Sequence, residues 1–250
     1  MNGYRQWLCP VMLGILITFS ACSVAEGWHL TNEFIDPNPF EEVNRPASGA
    51  YLVVGGGRSF NNAALAYEAG IDITHMIHFD IDPSVLKFVS YFRQSISDSE
   101  SPADLYSRAL RSGFVGWAEY LRRQLFKWLI RFRNIYTDRV LFDHLEFLVT
   151  RPSESFLLDV NDSSSINNLV EYLKNNNVCV AVIDISNMLD GYVDKSKMLD
   201  FFNRIKPFSH ESALVLKTRF GNRKYSAGHS GTFIYELFSN GSEPVYSHGF

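Results

Sequence analysis

The residues best suited to chemistry in this chain are three consecutive glycines, Gly55, Gly56 and Gly57, and two aspartates, Asp80 and Asp82. The glycines sit in YLVVGGGRSFNNAALAYEAG, directly after a short apolar run, and the acids end a second apolar run in MIHFDIDPSV. Glycines after a strand let the backbone turn sharply, and the helix that follows offers unpaired N–H groups to an anionic part of a ligand. Asp80 lies far enough beyond Gly57 for a helix and a return strand, which places its carboxylate to accept both hydroxyls of a ribose. Asp82 is placed to cap the helix that Pro83 begins. The pattern describes a nucleoside-bearing small molecule held at the carboxyl edge of a parallel sheet. It defines a ligand class more firmly than a reaction.

Other polar residues fall at the ends of apolar runs. Arg58 can pair with a ligand carboxylate or point to solvent. Asp159, Asn161 and Asp162 leave the third run, where Asp159 is a candidate for the ligand's base. Asp184, Ser186 and Asn187 leave the fourth, where they would face a substrate. Open α/β sheets build sites at such strand ends, although Asp, Ser and Asn also begin loops for purely structural reasons. Several chemistries are disfavoured. Phe60 occupies the third glycine position of G-x-G-x-x-G, against a dinucleotide. No lysine and hydroxyl follow the glycines, so this is not an NTP-binding loop. The seven histidines show no H-E-x-x-H spacing, Cys-x-x-Cys does not occur, and G-x-S-x-G is missing.

The elements that must position these groups alternate along the chain. Strands are expected at Tyr51–Val54, at His75–Ile81, in SFLLDV, in VCVAVIDI and in ALVLKTRF. Helices are expected over Ser59–Glu68, from Pro83, over Ile166–Lys174 and over Lys195–Ile205. Ser95 to Ala103 reads as a polar loop. GTFIYELF and VYSHGF flank Asn240-Gly241 as a hairpin. The result is an α/β fold, a mostly parallel Rossmann-like sheet flanked by helices and closed by a C-terminal antiparallel hairpin.

A chain of 250 residues, 46% hydrophobic, can bury one sizeable core, and a formal charge of -4 gives no general attraction to nucleic acid. Residues 1–25 read as a signal peptide, with Arg5 before an apolar run from Leu8 to Phe19. Ser23-Val24-Ala25 suits ordinary cleavage, whereas Phe19-Ser20-Ala21-Cys22 resembles a lipoprotein signal with Cys22 lipidated. Residues 26–48 form a polar lead-in. Residues 49–250 form a single α/β domain with a helical insertion near 100–136. Within that insertion WAEYLRRQLFKWLIRFRNIY (117–136) has helical period, an apolar stripe and basic flanks. It is read either as a helix packed on the domain or as a membrane-surface helix. The chain is therefore expected to be exported (periplasmic, envelope-anchored or secreted), with membrane attachment through Cys22 or the 117–136 helix. Cys179 is expected to be a buried small hydrophobe.

The glycine turn, the strand-ending Asp80, the polar-ended fourth strand and the terminal hairpin together resemble class I S-adenosylmethionine-dependent methyltransferases. More narrowly, YLVVGGGRSFNNAAL, VAVIDISNMLDGY, ALVLKTRF and TFIYELF resemble a bacterial family with a methyltransferase-like fold, in which YLGVG-x-x-x-NF and YLSNVE-like segments recur. The likeness runs from Tyr51 to the end, and Ile185-Ser186-Asn187 is its most specific piece. It implies S-adenosylmethionine as cofactor, with Gly55 and Gly57 along the methionine, Asp80 on the ribose, and Ser186 and Asn187 towards the transferred group. The chain departs from the family in Arg58, where an acidic or polar residue is expected, and in lacking an Asn-Pro-Pro-Tyr motif. Export conflicts with a cytoplasmic cofactor. Three readings stay open: a methyltransferase-like enzyme of unknown acceptor, a non-catalytic exported binding protein, and another nucleotide-dependent enzyme.

Overall fold

The computed structural model describes residues 38, 40–41, 47–112, 133–185, 193–219, 231–238 and 246–249. The strands are β1 (Ser48–Val54), β2 (Asp72–Asp80), β3 (Ser153–Leu157), β4 (Val180–Asp184), β5 (Ser209–Arg219), β6 (Gly231–Glu236) and β7 (Tyr246–Gly249). The helices are α1 (Gly57–Glu68), α2 (Pro83–Ser97), α3 (Pro102–Leu110), α4 (Arg139–Val149), α5 (Ser163–Asn175) and α6 (Lys195–Ile205), with a 3-10 turn over Lys206–Phe208. The strands form one sheet in the order β3-β2-β1-β4-β5-β6-β7. The first five in that order run parallel, and β6 and β7 close the sheet as antiparallel neighbours. This is the Rossmann-like arrangement, flanked by helices, that the alternating elements require.

Side-chain alternation explains the layers. In β1, Tyr51 and Val53 join one core with Phe60, Phe88, Phe92, Leu141 and Leu145 from α1, α2 and α4. Ala50 and Leu52 join the other, with Ile166 and Leu169 of α5 and Phe201 of α6. Helices cover both faces, so β4 is buried at every residue and reads as an unbroken apolar run until Asp184. At the far end of β1, Gly49 lies against β4. A Cβ there would overlap the carbonyl oxygen of Cys179, which accepts the Ala50 N–H at 2.6 Å.

Helix starts are written in the sequence. Asp82, Ser101, Asp138, Asp162 and Asp194 each accept a backbone N–H of the helix they precede. Pro83 and Pro102 fix the first turns of α2 and α3.

Several expectations need correction. β1, β2 and β5 begin earlier than their apolar runs, because polar residues carry the ladder outward; Ser48 pairs with Asp72 in register and donates its hydroxyl to that carboxylate. β3 ends at Leu157 rather than Val160, since the Asp159 loop turns the chain away. The expected loop at Ser95–Ala103 is mostly helix: α2 continues to Ser97 and α3 starts at Pro102, with Ser95 buried. α4 was not anticipated. The lead-in reaches into the fold, where Phe40 is 1% exposed in the core and Asn38 Nδ2 donates to Leu65 O. Cys179 is exposed and forms no disulfide.

Membrane attachment through Cys22 or the 117–136 helix is also corrected. Among the described residues no helix is long and apolar enough to cross a membrane. The last residues of the expected helix, 133–136, lead into a turn instead. There Arg133, one of the basic heads, is occupied by Glu68 at 2.8 Å and Asp138 at 2.6 Å. Cys22, the rest of the 1–25 signal segment and residues 113–132 lie outside the described residues.

Candidate functional site

Strand register brings the two leading candidates together. Val54 of β1 lies beside Phe79 of β2, so the next residues, Gly55 and Asp80, leave adjacent parallel strands at one sheet edge. Neighbouring strands are about 4.8 Å apart, within reach of one small molecule. On the other side of β1, Val53 pairs with Asp184 of β4. Chain order reverses between β1 and β4, and such a reversal opens the crevice in which α/β sheets hold ligands.

The glycine turn is built for backbone approach. Gly55 has φ +89°, which favours glycine, and a Cβ there would meet nothing within 4 Å. Gly56 stands at the cap position of α1 and has no side chain to offer its N–H groups, unlike the caps of the other five described helices. Gly57 opens α1 and is buried, as is Arg58 at 8% exposure, so the guanidinium does not extend into solvent.

Beneath this turn, Ser59 donates its hydroxyl to Gly56 O and lies 3.0 Å from Nε2 of His78 on β2. Because the serine proton is committed to Gly56, His78 carries its own proton on Nε2 and donates it to Ser59. Burial, aided by the Arg93 charge, lowers the His78 pKa to about 3, so the ring is neutral. Phe60 packs against His78 at 5.1 Å and Phe92 at 5.2 Å between ring centroids. It thus fills the space between α1 and β2 where a glycine would permit close packing.

Asp80 is half-buried, and its Oδ1 accepts the Asp82 N–H at 2.9 Å. Asp82 caps α2 by accepting the Ser84 N–H at 2.8 Å. Asp159 Oδ1 accepts both the N–H and the Nδ2 of Asn161, at 2.8 and 3.1 Å, and so holds its own loop. Asp184, expected to face a substrate, is 1% exposed and turned inward. Its Oδ2 accepts the Tyr51 hydroxyl at 3.0 Å and Asn62 Nδ2 at 2.8 Å, tying β4 to β1 and α1. Burial first, then the Asp184 carboxylate, raises the Tyr51 pKa well above its ordinary value. Ser186 and Asn187 lie outside the described residues. Tyr51, Asn62 and His78 were not anticipated. The available signal was three polar groups at inward positions of otherwise apolar elements.

No protein-family model matches this sequence, and no curated protein does. Among solved structures the chain is similar to the rRNA methyltransferase aviRa from Streptomyces viridochromogenes, at 15% identity and a TM-score of 0.41. The match covers 79% of this chain and 80% of that one. So loose a likeness carries no argument about the site, and the fold class rests on the strand order.

Proposed function

We propose that the crevice between β1 and β4 binds S-adenosylmethionine and that the chain is a methyltransferase-like protein. One observation carries the reading: a glycine-built helix start with no side-chain cap lies beside a strand-ending carboxylate, at the sheet's reversal point. The donor set suits the cofactor. The N-terminus of α1, which no side chain caps, matches a carboxylate, Asp80 matches a ribose diol, and the open space at Gly55 admits the chain between them. When bound, this cofactor supplies an electrophilic methyl group. The protein's part is orientation, since aligning an acceptor with the methyl carbon supplies most of what such a transfer needs. Arg58 and Asp159 take supporting places at most, because Arg58 is buried and Asp159 braces its own loop.

The test is calorimetric titration of the full chain with S-adenosylmethionine. Saturable binding is expected, weakened about 10- to 100-fold by Asp80→Ala, in line with loss of hydrogen bonds to a charged acceptor. Absence of heat together with absence of a thermal shift would reject the proposal.

A second reading, binding without turnover, is favoured by Asp184. The carboxylate best placed by sequence to face an acceptor is consumed by Tyr51 and Asn62. Transfer of labelled methyl from the cofactor to any acceptor would exclude it.

A further inference from the structure

Helix α2 and the outer strand β3 enclose a groove of about 480 Å³, away from the crevice. Ser90, Arg93, Gln94 and Ser97 form one wall, and Ser153 and Ser155 the other. Glu154 also borders it, but its side chain belongs to the opposite face of the sheet. Phe156, two residues on and therefore on the same face as Glu154, packs against Tyr172 of α5 at 5.4 Å. The Glu154 charge correspondingly helps to raise the Tyr172 pKa. Serine hydroxyls, a carboxamide and one guanidinium thus face the groove, and among the described residues no carboxylate does.

Arg93 is the telling group. Its Nη2 donates to Val149 O at 2.6 Å and Arg151 O at 2.5 Å, capping the end of α4. That accounts for one nitrogen. Nη1 is buried and donates to nothing among the described residues, and no carboxylate among them lies within ion-pair distance. A half-buried cation without a counterion is costly unless something answers its charge. Among the described residues the hydroxyls of Ser153 and Ser155 likewise have no partner. Met76 N–H bonds Pro152 O and Leu158 N–H bonds Asp80 O, so the alternate residues Ser153, Ser155 and Leu157 turn their backbone groups away from β2, to the sheet's outer edge.

We infer that this groove binds a small oxyanion, the phosphate or carboxylate group of a ligand, through Arg93, the Ser153 and Ser155 hydroxyls and the outward N–H groups of β3. The site stands apart from the crevice and holds whether or not the crevice takes S-adenosylmethionine. The experiment is a ¹⁵N-resolved NMR titration of the full chain with inorganic phosphate at constant ionic strength, repeated with acetate. Saturable shifts are expected at the Ser153 and Ser155 amides and at Arg93 Nε–H. Saturation by phosphate alone assigns a phosphate group, and saturation by acetate a carboxylate. Ser155→Asp leaves the bonds from Arg93 to the end of α4 in place, alters only an exposed position and sets a carboxylate against the site; it should weaken binding about tenfold or more. Shifts that never saturate with either anion, or an affinity unchanged in Ser155→Asp, overturn the inference.

Discussion

His78 is the residue through which acid reaches the interior. Unfolded, its ring takes up a proton near pH 6.5, whereas the folded ring refuses one until about 3. Its contribution to stability is therefore whole above pH 6.5 and is lost as pH falls, at up to about 1.4 kcal/mol per pH unit. His75, lowered by burial and by Arg151, acts in the same direction. Urea unfolding between pH 7 and 4.5 should show this slope, and His78→Gln should flatten most of it. Tyr51 works at the other extreme. With its pKa raised, its stabilisation is complete below pH 10 and declines as pH rises beyond that value. Tyr51→Phe removes a bond to a buried carboxylate and should cost about 1.5–3 kcal/mol in denaturant titrations. At this scale the sequence was only partly legible. The places of Gly55 at a turn and Asp80 at a strand end were readable because such positions impose their residue types locally. Asp184 could not, since its direction depends on Tyr51 and Asn62, far away along the chain.

Helix starts and the glycine turn separate two kinds of contribution. Asp82→Ala removes the cap of α2 and should lower stability by about 1 kcal/mol in thermal melts, without requiring any loss at the crevice. Gly55→Ala should cost a similar amount, roughly 1–2 kcal/mol, for its positive φ alone, because no atom crowds the new methyl. Ligand affinity should fall with it, since that methyl projects into the space a ligand would use. Elements with strong local signals were readable: α6 was expected at Lys195–Ile205 and is found there. Boundaries failed where polar residues extend β1, β2 and β5, because edge positions carry no burial pattern. α4 was missed although Leu141, Leu145 and Leu148 share a helical face, since it stands between two segments read as insertion and strand.

The whole molecule is organised around β1 and β4, which are bonded on both sides and buried on both faces. Hydrogen exchange should be slowest in these two strands and fastest in β3, the outer parallel strand. Fold class was legible because alternating runs with a terminal hairpin leave few arrangements. The packing of Phe60 and the inward Asp184 were not, because both arise only when the layers meet. One consequence reaches across the sheet. The carbonyl pressed against Gly49 sets how far β1 can slide past its neighbour, and the strand behaves as a stiff rod about 20 Å long. Any side chain at position 49 would push that rod, shifting the loop at its opposite tip. Loss of binding from so remote a change would therefore be a mechanical effect, transmitted by backbone rather than by contact.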